Sequence, residues 1–340
     1  MQDKILDLAL EVSKITSEKV TLIEQIMRQT GLLSLNARIE AGRAGAAGAA
    51  FGVVAAEMGV VSSQVSAVSK ELRAAVDDNV TRIKEAGAEL VAEFRGARFT
   101  DLALNAIEII DRNLYERSCD VRWWATDSAV VDALQDPTAE RLAYAADRLA
   151  TILRSYTVYL DLWVIDRNGI VVANGRPGAY RRAVGANVAH EAWFRNAMAL
   201  TSGDDFVVAD VAANPVLDGA ASATYATAIR KGGAANGRPL GVLGIFFDWA
   251  PQAAAVVEGV ALSDEERAQA RALLLDAEGR VIAASDGAGI LSEVFTLRTE
   301  GRPRGHYVEP ERVVAFARTP GYETYKGLGW YGAIEYRLEA

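Results

Sequence analysis

Two stripes of apolar residues with heptad spacing, joined by a cluster of glycines, determine how residues 1–96 can fold. Because alternating spacings of three and four bring apolar side chains to one side of a helix, each stripe predicts a long coiled-coil helix. Glycines 42, 45 and 48 between the stripes favour a tight reversal near residue 47. The stripes comprise Ile5, Leu8, Val12, Ile15, Leu22, Ile26 and Leu33, then Phe51, Val54, Met58, Val61, Val65, Val68 and Leu72.

These stripes predict an antiparallel helical hairpin that is incomplete as a single copy. A two-helix hairpin leaves much of each apolar stripe in contact with water, whereas a second copy would bury both stripes in a four-helix bundle. We therefore expect a homodimer through the hairpin.

Composition excludes several classes of protein. The chain has 340 residues and a net charge of −9, and such an overall field repels phosphate backbones, so no nucleic-acid partner is expected. Cys119 is the single cysteine, and His190 and His306 are the two histidines. A disulfide within one chain is impossible, and no Cys/His spacing indicates a metal site or a haem. We expect no cofactor.

The localisation expected from the sequence is cytoplasmic. The most apolar stretch, Ala44 to Val61, is rich in glycine and contains Glu57, so it lacks the roughly 20 uninterrupted apolar residues of a membrane span. The N-terminal residues mix acids and bases and have no apolar core of a signal peptide.

Residues 97–340 form a second predicted unit that begins with long helices over residues 100–156. A new helical run is expected from Thr100, with an apolar face of Leu102, Ala106, Ile109, Ile110, Leu114, Val121 and Trp124. The adjacent Trp123 and Trp124 must point to different faces of that helix. Asp136 and Pro137 predict the start of a further helix that runs toward Tyr156.

An internal repeat then predicts two antiparallel sheet modules, residues 157–250 and 251–340. Residues 162–173 align with residues 272–283, and each segment contains an apolar strand, an Asp-x-x-Gly turn and a second apolar strand. Residues 241–247 match residues 329–335 more loosely. Ser263 and Glu266 form a capping box for the helix that leads into the second module. The fold class expected for the whole chain is α+β.

Residues Gln29 to Met58 resemble the signalling tip of bacterial methyl-accepting chemotaxis receptors, and the resemblance extends over about residues 26–75. It implies that the tip contacts a histidine kinase and its coupling protein through Asn36, Glu40, Arg43 and Phe51. At positions where that family has charged or amide groups this chain has Ala46, Ala47 and Ala49, which remove polar contacts that specify partners.

The order of elements over roughly residues 98–340 resembles the double Cache sensor domain, in which a long helix precedes two PAS-like sheets. The features that carry this resemblance are the Asp-x-x-Gly hairpins, the Trp193-Phe194 pair and the Gly-x-x-Gly strands. It implies a small-molecule pocket, usually in the first module.

Six residues of the first module are candidate ligand contacts: Trp193, Phe194, Asp210, Tyr225, Arg230 and Asp248. An apolar wall with a few convergent polar groups is typical of such pockets. Trp193 and Phe194 could equally pack in the core, and Asp210 and Asp248 could face solvent. Family members that bind amino acids carry an Arg and an Asp where this chain has Glu191 and Phe246, which argues against an α-amino acid bound in the usual way.

No motif with a catalytic mechanism is present, so we do not expect an enzyme. The sequence predicts a cytoplasmic, chemoreceptor-like transducer that senses a small molecule and signals through the hairpin to a histidine kinase pathway. The alternative is a ligand-binding or scaffold module whose degenerate hairpin serves only for dimerisation.

Overall fold

The computed structural model describes residues 2–338, with side chains described for residues 8 and 10–338. By its internal contacts the chain divides into two compact units, Met1–Phe94 and Arg95–Ala340.

The first unit is a helical hairpin. Helix α1 (Gln2–Arg43) is followed by a short 3₁₀ turn, Gly45–Gly48, and by helix α2, which begins at Ala49. Gly45 has a positive φ of 61°, a conformation that costs glycine little. Gly48 is buried, and a Cβ atom on it would lie 2.2 Å from the carbonyl oxygen of Ala41. The turn therefore requires glycine for two different reasons.

The two helices of the hairpin contact each other through small residues rather than through the apolar stripes. The Ser34 hydroxyl donates to the Ala55 carbonyl oxygen at 2.6 Å, and the Ser62 hydroxyl donates to that of Met27 at 2.6 Å. By contrast, most described members of the two stripes are exposed, including Leu8, Val12, Leu33, Phe51, Val54 and Val68, each more than half exposed. One copy of the chain thus leaves the stripes uncovered.

Helix α2 runs without a break from Ala49 to Trp124, a length of 76 residues. The expectation of a new helix starting at Thr100 was therefore wrong. The heptad spacing of apolar residues is lost after Leu90, which is where the packing surroundings of the helix change from the first compact unit to the second. No proline interrupts α2, and each of its four glycines, Gly52, Gly59, Gly87 and Gly96, costs only about 1 kcal/mol relative to alanine.

Within the described residues, five further α-helices and two five-stranded antiparallel sheets complete the second unit. Asp127 caps α3, and Thr138 caps α4, so Pro137 precedes the cap rather than opening the helix. The remaining elements are α3 (Ser128–Gln135), α4 (Ala139–Ser155), β1 (Tyr159–Asp166), β2 (Val171–Asn174), α5 (Ala192–Ala199), β3 (Val207–Asn214), β4 (Ala220–Arg230), β5 (Pro239–Asp248), α6 (Trp249–Glu258), α7 (Asp264–Gln269), β6 (Ala270–Leu275), β7 (Val281–Ala284), β8 (Arg304–Glu309), β9 (Arg312–Arg318) and β10 (Tyr331–Arg337). Strand order is β2-β1-β5-β4-β3 in the first sheet and β7-β6-β10-β9-β8 in the second.

The two sheets repeat the same plan, as the sequence predicts. In the β1–β2 turn the Asp166 carboxylate accepts backbone N–H bonds from residues 168 and 170. In the β6–β7 turn Asp276 accepts the equivalent pair. Gly169 and Gly279 follow with φ of 82° and 86°. The capping box of Ser263 and Glu266 is also present. The α+β fold class is confirmed.

The part of α2 within Arg95–Ala340 supplies the centre of the largest core. Phe99, Ile107, Ile110 and Leu114 are buried together with residues of both sheets. Trp124 is 5% exposed and Trp123 is 68% exposed, so the tryptophans do face opposite ways. The expected apolar face was correct except at Ile109, which is 40% exposed. The outer face of each sheet has a separate core.

By length and composition alone, one helical segment of the described chain could cross a membrane, namely Gly45–Trp124. This finding differs from the sequence expectation of no such segment. Ala55 and Ser62 of the same segment contact α1, so the segment also packs as a helix of the hairpin.

Candidate ligand-binding site

A cavity of about 370 Å³ lies on the face of the first sheet that α5 covers, opposite the face packed against α2. Strands β3 and β4 form its floor, because Ser222 and Thr224 alternate toward the same face as buried Ala226. The segment that leads into α5 provides a second wall. The volume is within the range of small-ligand sites.

Aromatic residues form the apolar side of this cavity. Trp163 of β1 and Trp193 of α5 line it, and both rings pack on Phe246 with centroid distances of 4.1 and 6.0 Å. Phe246 is fully buried. Phe246 therefore belongs to the apolar core on this face of the sheet.

Two carboxylates, Glu191 and Asp210, and one imidazole, His190, line the cavity, and none of its lining residues in the described part of the chain is an arginine or lysine. His190 Nε2 lies 3.1 Å from a Glu191 carboxylate oxygen, and both side chains are largely exposed at the mouth. Ser222 and Thr224 are the buried polar residues of the floor. This arrangement is suited to a ligand that donates hydrogen bonds or carries positive charge.

Asp210 connects the cavity to the second sheet module. Its carboxylate accepts a hydrogen bond of 2.7 Å from the indole Nε1 of Trp330, the residue immediately before β10. Burial raises the pKa of Asp210 above its ordinary value, and the Trp330 hydrogen bond opposes that rise.

The structure brings two of the six predicted contacts, Trp193 and Asp210, to this cavity. Phe194 is buried beside Trp193 but does not line it. Tyr225 is fully buried on the opposite face and stacks on Phe206. Asp248 ends β5 away from the cavity wall, and burial raises its pKa. Arg230 lines a different cavity.

Sequence reasoning did not propose Trp163, Glu191, Ser222 and Thr224 as ligand contacts. A signal for two of them was present, since Ser222 and Thr224 are polar residues two positions apart in β4. Such spacing puts both on one face. Glu191 gives no comparable signal because its position depends on the loop before α5, and Trp163 gives none because the place of β1 in the sheet is not set locally.

The four residues predicted for the signalling tip are all exposed near the turn of the hairpin. Asn36, Glu40 and Arg43 lie on α1, and Phe51 lies on α2 with 73% of its surface exposed. Arg43 Nη1 donates to Glu40 at 2.8 Å across one helical turn. Phe51 is thus a large apolar side chain available to a partner.

Within residues 2–338 as described, no group of three or more His, Cys, Asp or Glu side chains could hold a metal ion. Cys119 is a free, partly buried thiol.

Comparison with known proteins gives a family match for the N-terminal part of the chain and a fold likeness for the rest. Residues 1–111 match the family model of the methyl-accepting chemotaxis protein (MCP) signalling domain. That match is longer than the predicted resemblance and confirms it.

Among solved structures, the ligand-binding domain of chemoreceptor Tlp3 from Campylobacter jejuni in complex with 4-methylisoleucine is similar, with a TM-score of 0.53, 16% identity, 72% coverage of this chain and 92% of that chain. The ligand-binding domain of chemoreceptor CtaA from Pseudomonas fluorescens in complex with L-serine is similar with a TM-score of 0.51 and 18% identity, covering 72% of this chain and 98% of that chain. The ligand-binding domain of chemoreceptor PctC from Pseudomonas aeruginosa in complex with GABA is similar with a TM-score of 0.51 and 17% identity, covering 72% of this chain and 99% of that chain.

The chain thus joins an MCP-type signalling segment to a unit with the fold of chemoreceptor sensor domains. At such identities the structural comparisons establish the fold of the second unit, which is the predicted double Cache-like arrangement.

Proposed function

We propose that this protein is a chemoreceptor-like signal transducer and not an enzyme. A small ligand binds in the cavity lined by Trp193 and Asp210, and the hairpin reports its binding to a histidine kinase and a coupling protein. The observation that carries this proposal is the continuity of α2. Its first part forms the MCP-type hairpin, and its last part forms the core between the two sheet modules.

The ligand that suits the cavity is a small molecule with an ammonium group or other strong hydrogen-bond donors. Glu191 and Asp210 supply acceptors, and Trp163 and Trp193 supply an apolar wall. The solved ligand-binding domains in complex with L-serine and with GABA also bind ligands that carry an amino group. Because this cavity lacks a lining arginine or lysine, we expect an amine without an essential carboxylate.

A homodimer is part of this proposal. The exposed stripes on α1 and α2 supply a continuous apolar surface on one copy, and a second copy would remove it from water in a four-helix bundle. We propose a cytoplasmic location, in which the apolar part of α2 is covered by the partner hairpin rather than by lipid.

A thermal-shift screen of the full chain against amines, organic acids, purines and amino acids tests the sensing function. A ligand at a hundred times its Kd stabilises the folded state by about 2.7 kcal/mol. We expect an amine to raise the Tm, and the shift to disappear in Trp193→Ala with the fold intact by circular dichroism. A screen without any hit would contradict ligand sensing by this cavity.

Kinase coupling is tested separately, because Ala46, Ala47 and Ala49 remove the polar groups of the family tip. Autophosphorylation of a histidine kinase is measured with its coupling protein and either the native chain or the A46E/A47Q/A49R variant. Control by the native chain supports the transducer. Control gained only by the variant supports the alternative, in which the hairpin serves for dimerisation alone.

A further inference from the structure

A second cavity of the sensor unit has the opposite electrostatic character. It measures about 430 Å³ and lies among the last turns of α2, the turn before β3 and the end of β4. Its lining charged residues are Arg122, Arg230 and Asp204, so the two arginines outnumber the single carboxylate. We call it the Arg230 cavity.

Arg230 is a buried cation without an ionic partner. Only 5% of the residue is exposed, and its guanidinium donates to two backbone carbonyls, those of Gly237 at 2.8 Å and of Leu200. Its Nε–H group is buried and has no hydrogen-bond partner. Among the described residues no carboxylate forms an ion pair with it. A buried charge left in this state is strongly unfavourable unless an anion compensates it.

Arg122 adds a second guanidinium that is fixed in the same manner. It donates to the carbonyls of Ser118 at 2.8 Å and Asp204 at 3.2 Å, and it has no carboxylate partner in the described part of the chain. Its guanidinium carbon lies 5.4 Å from the centre of the Phe206 ring. Backbone carbonyls thus hold both cations in position, and the Phe206 ring and the Cys119 sulfur also contact Arg122. Such preorganisation reduces the entropy lost when a ligand binds.

Trp123 supplies an apolar surface at the same cavity. Its indole lines the cavity and is 68% exposed. An exposed tryptophan beside two arginines is suited to an anion with an apolar body, because guanidinium groups bind carboxylates in a bidentate manner while the ring covers the apolar part. The volume exceeds what a single inorganic ion would fill.

We infer that the Arg230 cavity binds a small organic acid, whose carboxylate neutralises Arg230 and Arg122 and whose apolar part contacts Trp123. This site is separate from the amine cavity of the proposed function. It includes residues of α2 itself, so an acid bound there contacts the helix that continues into the hairpin.

The test is isothermal titration calorimetry of the full chain with benzoate, with acetate and inorganic phosphate as comparison probes. We expect benzoate to bind with one site per chain and more tightly than acetate, which lacks a ring for Trp123. Tight binding of phosphate without binding of benzoate would overturn the assignment, as would the absence of binding by any probe.

Variants locate the site. Arg122→Gln, at a partly exposed position, should weaken benzoate binding by about tenfold or more, equivalent to a loss of about 1.4 kcal/mol. Arg230→Met should abolish binding, and Trp123→Ala should reduce the preference for benzoate over acetate. Arg141→Gln on α4 removes one positive charge elsewhere and should leave binding unchanged. Equal effects of Arg122→Gln and Arg141→Gln would contradict the site. None of these outcomes depends on whether amines bind beside Trp193.

Discussion

The Asp210 carboxylate and the Trp330 indole join the candidate ligand cavity of the first sheet to the second sheet through a hydrogen bond of 2.7 Å. Trp330 is 1% exposed and packs against Trp249 of α6 with a ring-centroid distance of 5.1 Å. Asp210 therefore both lines a cavity of one module and anchors a core residue of the other.

A double-mutant cycle measures the coupling free energy between Asp210 and Trp330. Because the bond involves an ionisable acceptor in a partly buried site, Asp210→Ala and Trp330→Phe should each destabilise the chain by about 1.5–3 kcal/mol. In the double variant the two losses should fall short of additivity by about 1–2 kcal/mol. Urea unfolding followed by far-ultraviolet circular dichroism gives each value. Additive losses would show that the two side chains act independently.

The connection continues from Trp330 to α2. Gly332 of β10 lies against the helix so closely that a Cβ atom on it would be 2.3 Å from the carbonyl oxygen of Ala103. Asp111 of the same helix accepts from the Thr319 hydroxyl and from the Gly321 N–H at 2.8 Å. The segments flanking β10 thus contact both Asp210 and α2.

Gly332→Ala should separate β10 from α2. Overpacking at such a backbone contact typically destabilises a protein by about 1–3 kcal/mol, which should appear as a lowered Tm. Gly178→Ala is the matched control, since a Cβ atom there has nothing within 4 Å, and its effect should stay within about 0.5 kcal/mol. Similar Tm values for both variants would contradict the close packing of β10 on the helix.

Most of this architecture could be predicted from the sequence, because its turns and caps depend on residues that are close together in the chain. The Asp166 and Asp276 turns, the capping box at Ser263 and the reversal near residue 47 each depend on residues a few positions apart. The continuity of α2 could not be inferred in this way. The heptad spacing of apolar residues changes near residue 94 because α2 packs against a different surface beyond that point. No local sequence signal distinguishes this change from the end of a helix.

The ligand site was less predictable for the same reason. Trp193 and Asp210 were recognised by residue type, but which face of the sheet each occupies depends on strand pairing. Tyr225 and Thr224 are neighbours in β4, yet they belong to opposite faces, and β3 contains a bulge between Ala209 and Ala212 that changes the alternation next to Asp210. Arg230 was predicted as a ligand contact of the same pocket, but the structure places it at a different cavity, which is recognisable only in three dimensions.

The turn of the hairpin gives a prediction about glycine. Gly48→Ala should destabilise the hairpin by about 1–3 kcal/mol, because the new methyl group would meet the Ala41 carbonyl. Gly42→Ala is the control within the same cluster. It lies in α1 with nothing within 4 Å of a Cβ atom, so it should raise helix stability by up to about 1 kcal/mol. Thermal melting followed at 222 nm compares the two, and equal melting curves would contradict the tight reversal.

The protonation of Asp210 gives a prediction about pH. Burial raises the pKa of this carboxyl group in the folded protein, so the stability that it contributes without ligand is present at low pH and is lost as the pH rises through that pKa. A cationic ligand needs the ionised form and competes with the proton. Affinity for an amine should therefore fall as the pH is lowered through the raised pKa, while the amine itself stays charged.

Calorimetric titrations of the amine at a series of pH values, from about 4 to 7.5, measure this dependence. In Asp210→Asn the affinity should be weaker and its dependence on pH should be reduced, because the amide cannot titrate. Glu191→Gln separates the contribution of the second carboxylate, which lies at the mouth beside His190. An unchanged pH profile in Asp210→Asn would assign the titration to the mouth of the cavity and would remove Asp210 from direct contact with the ligand.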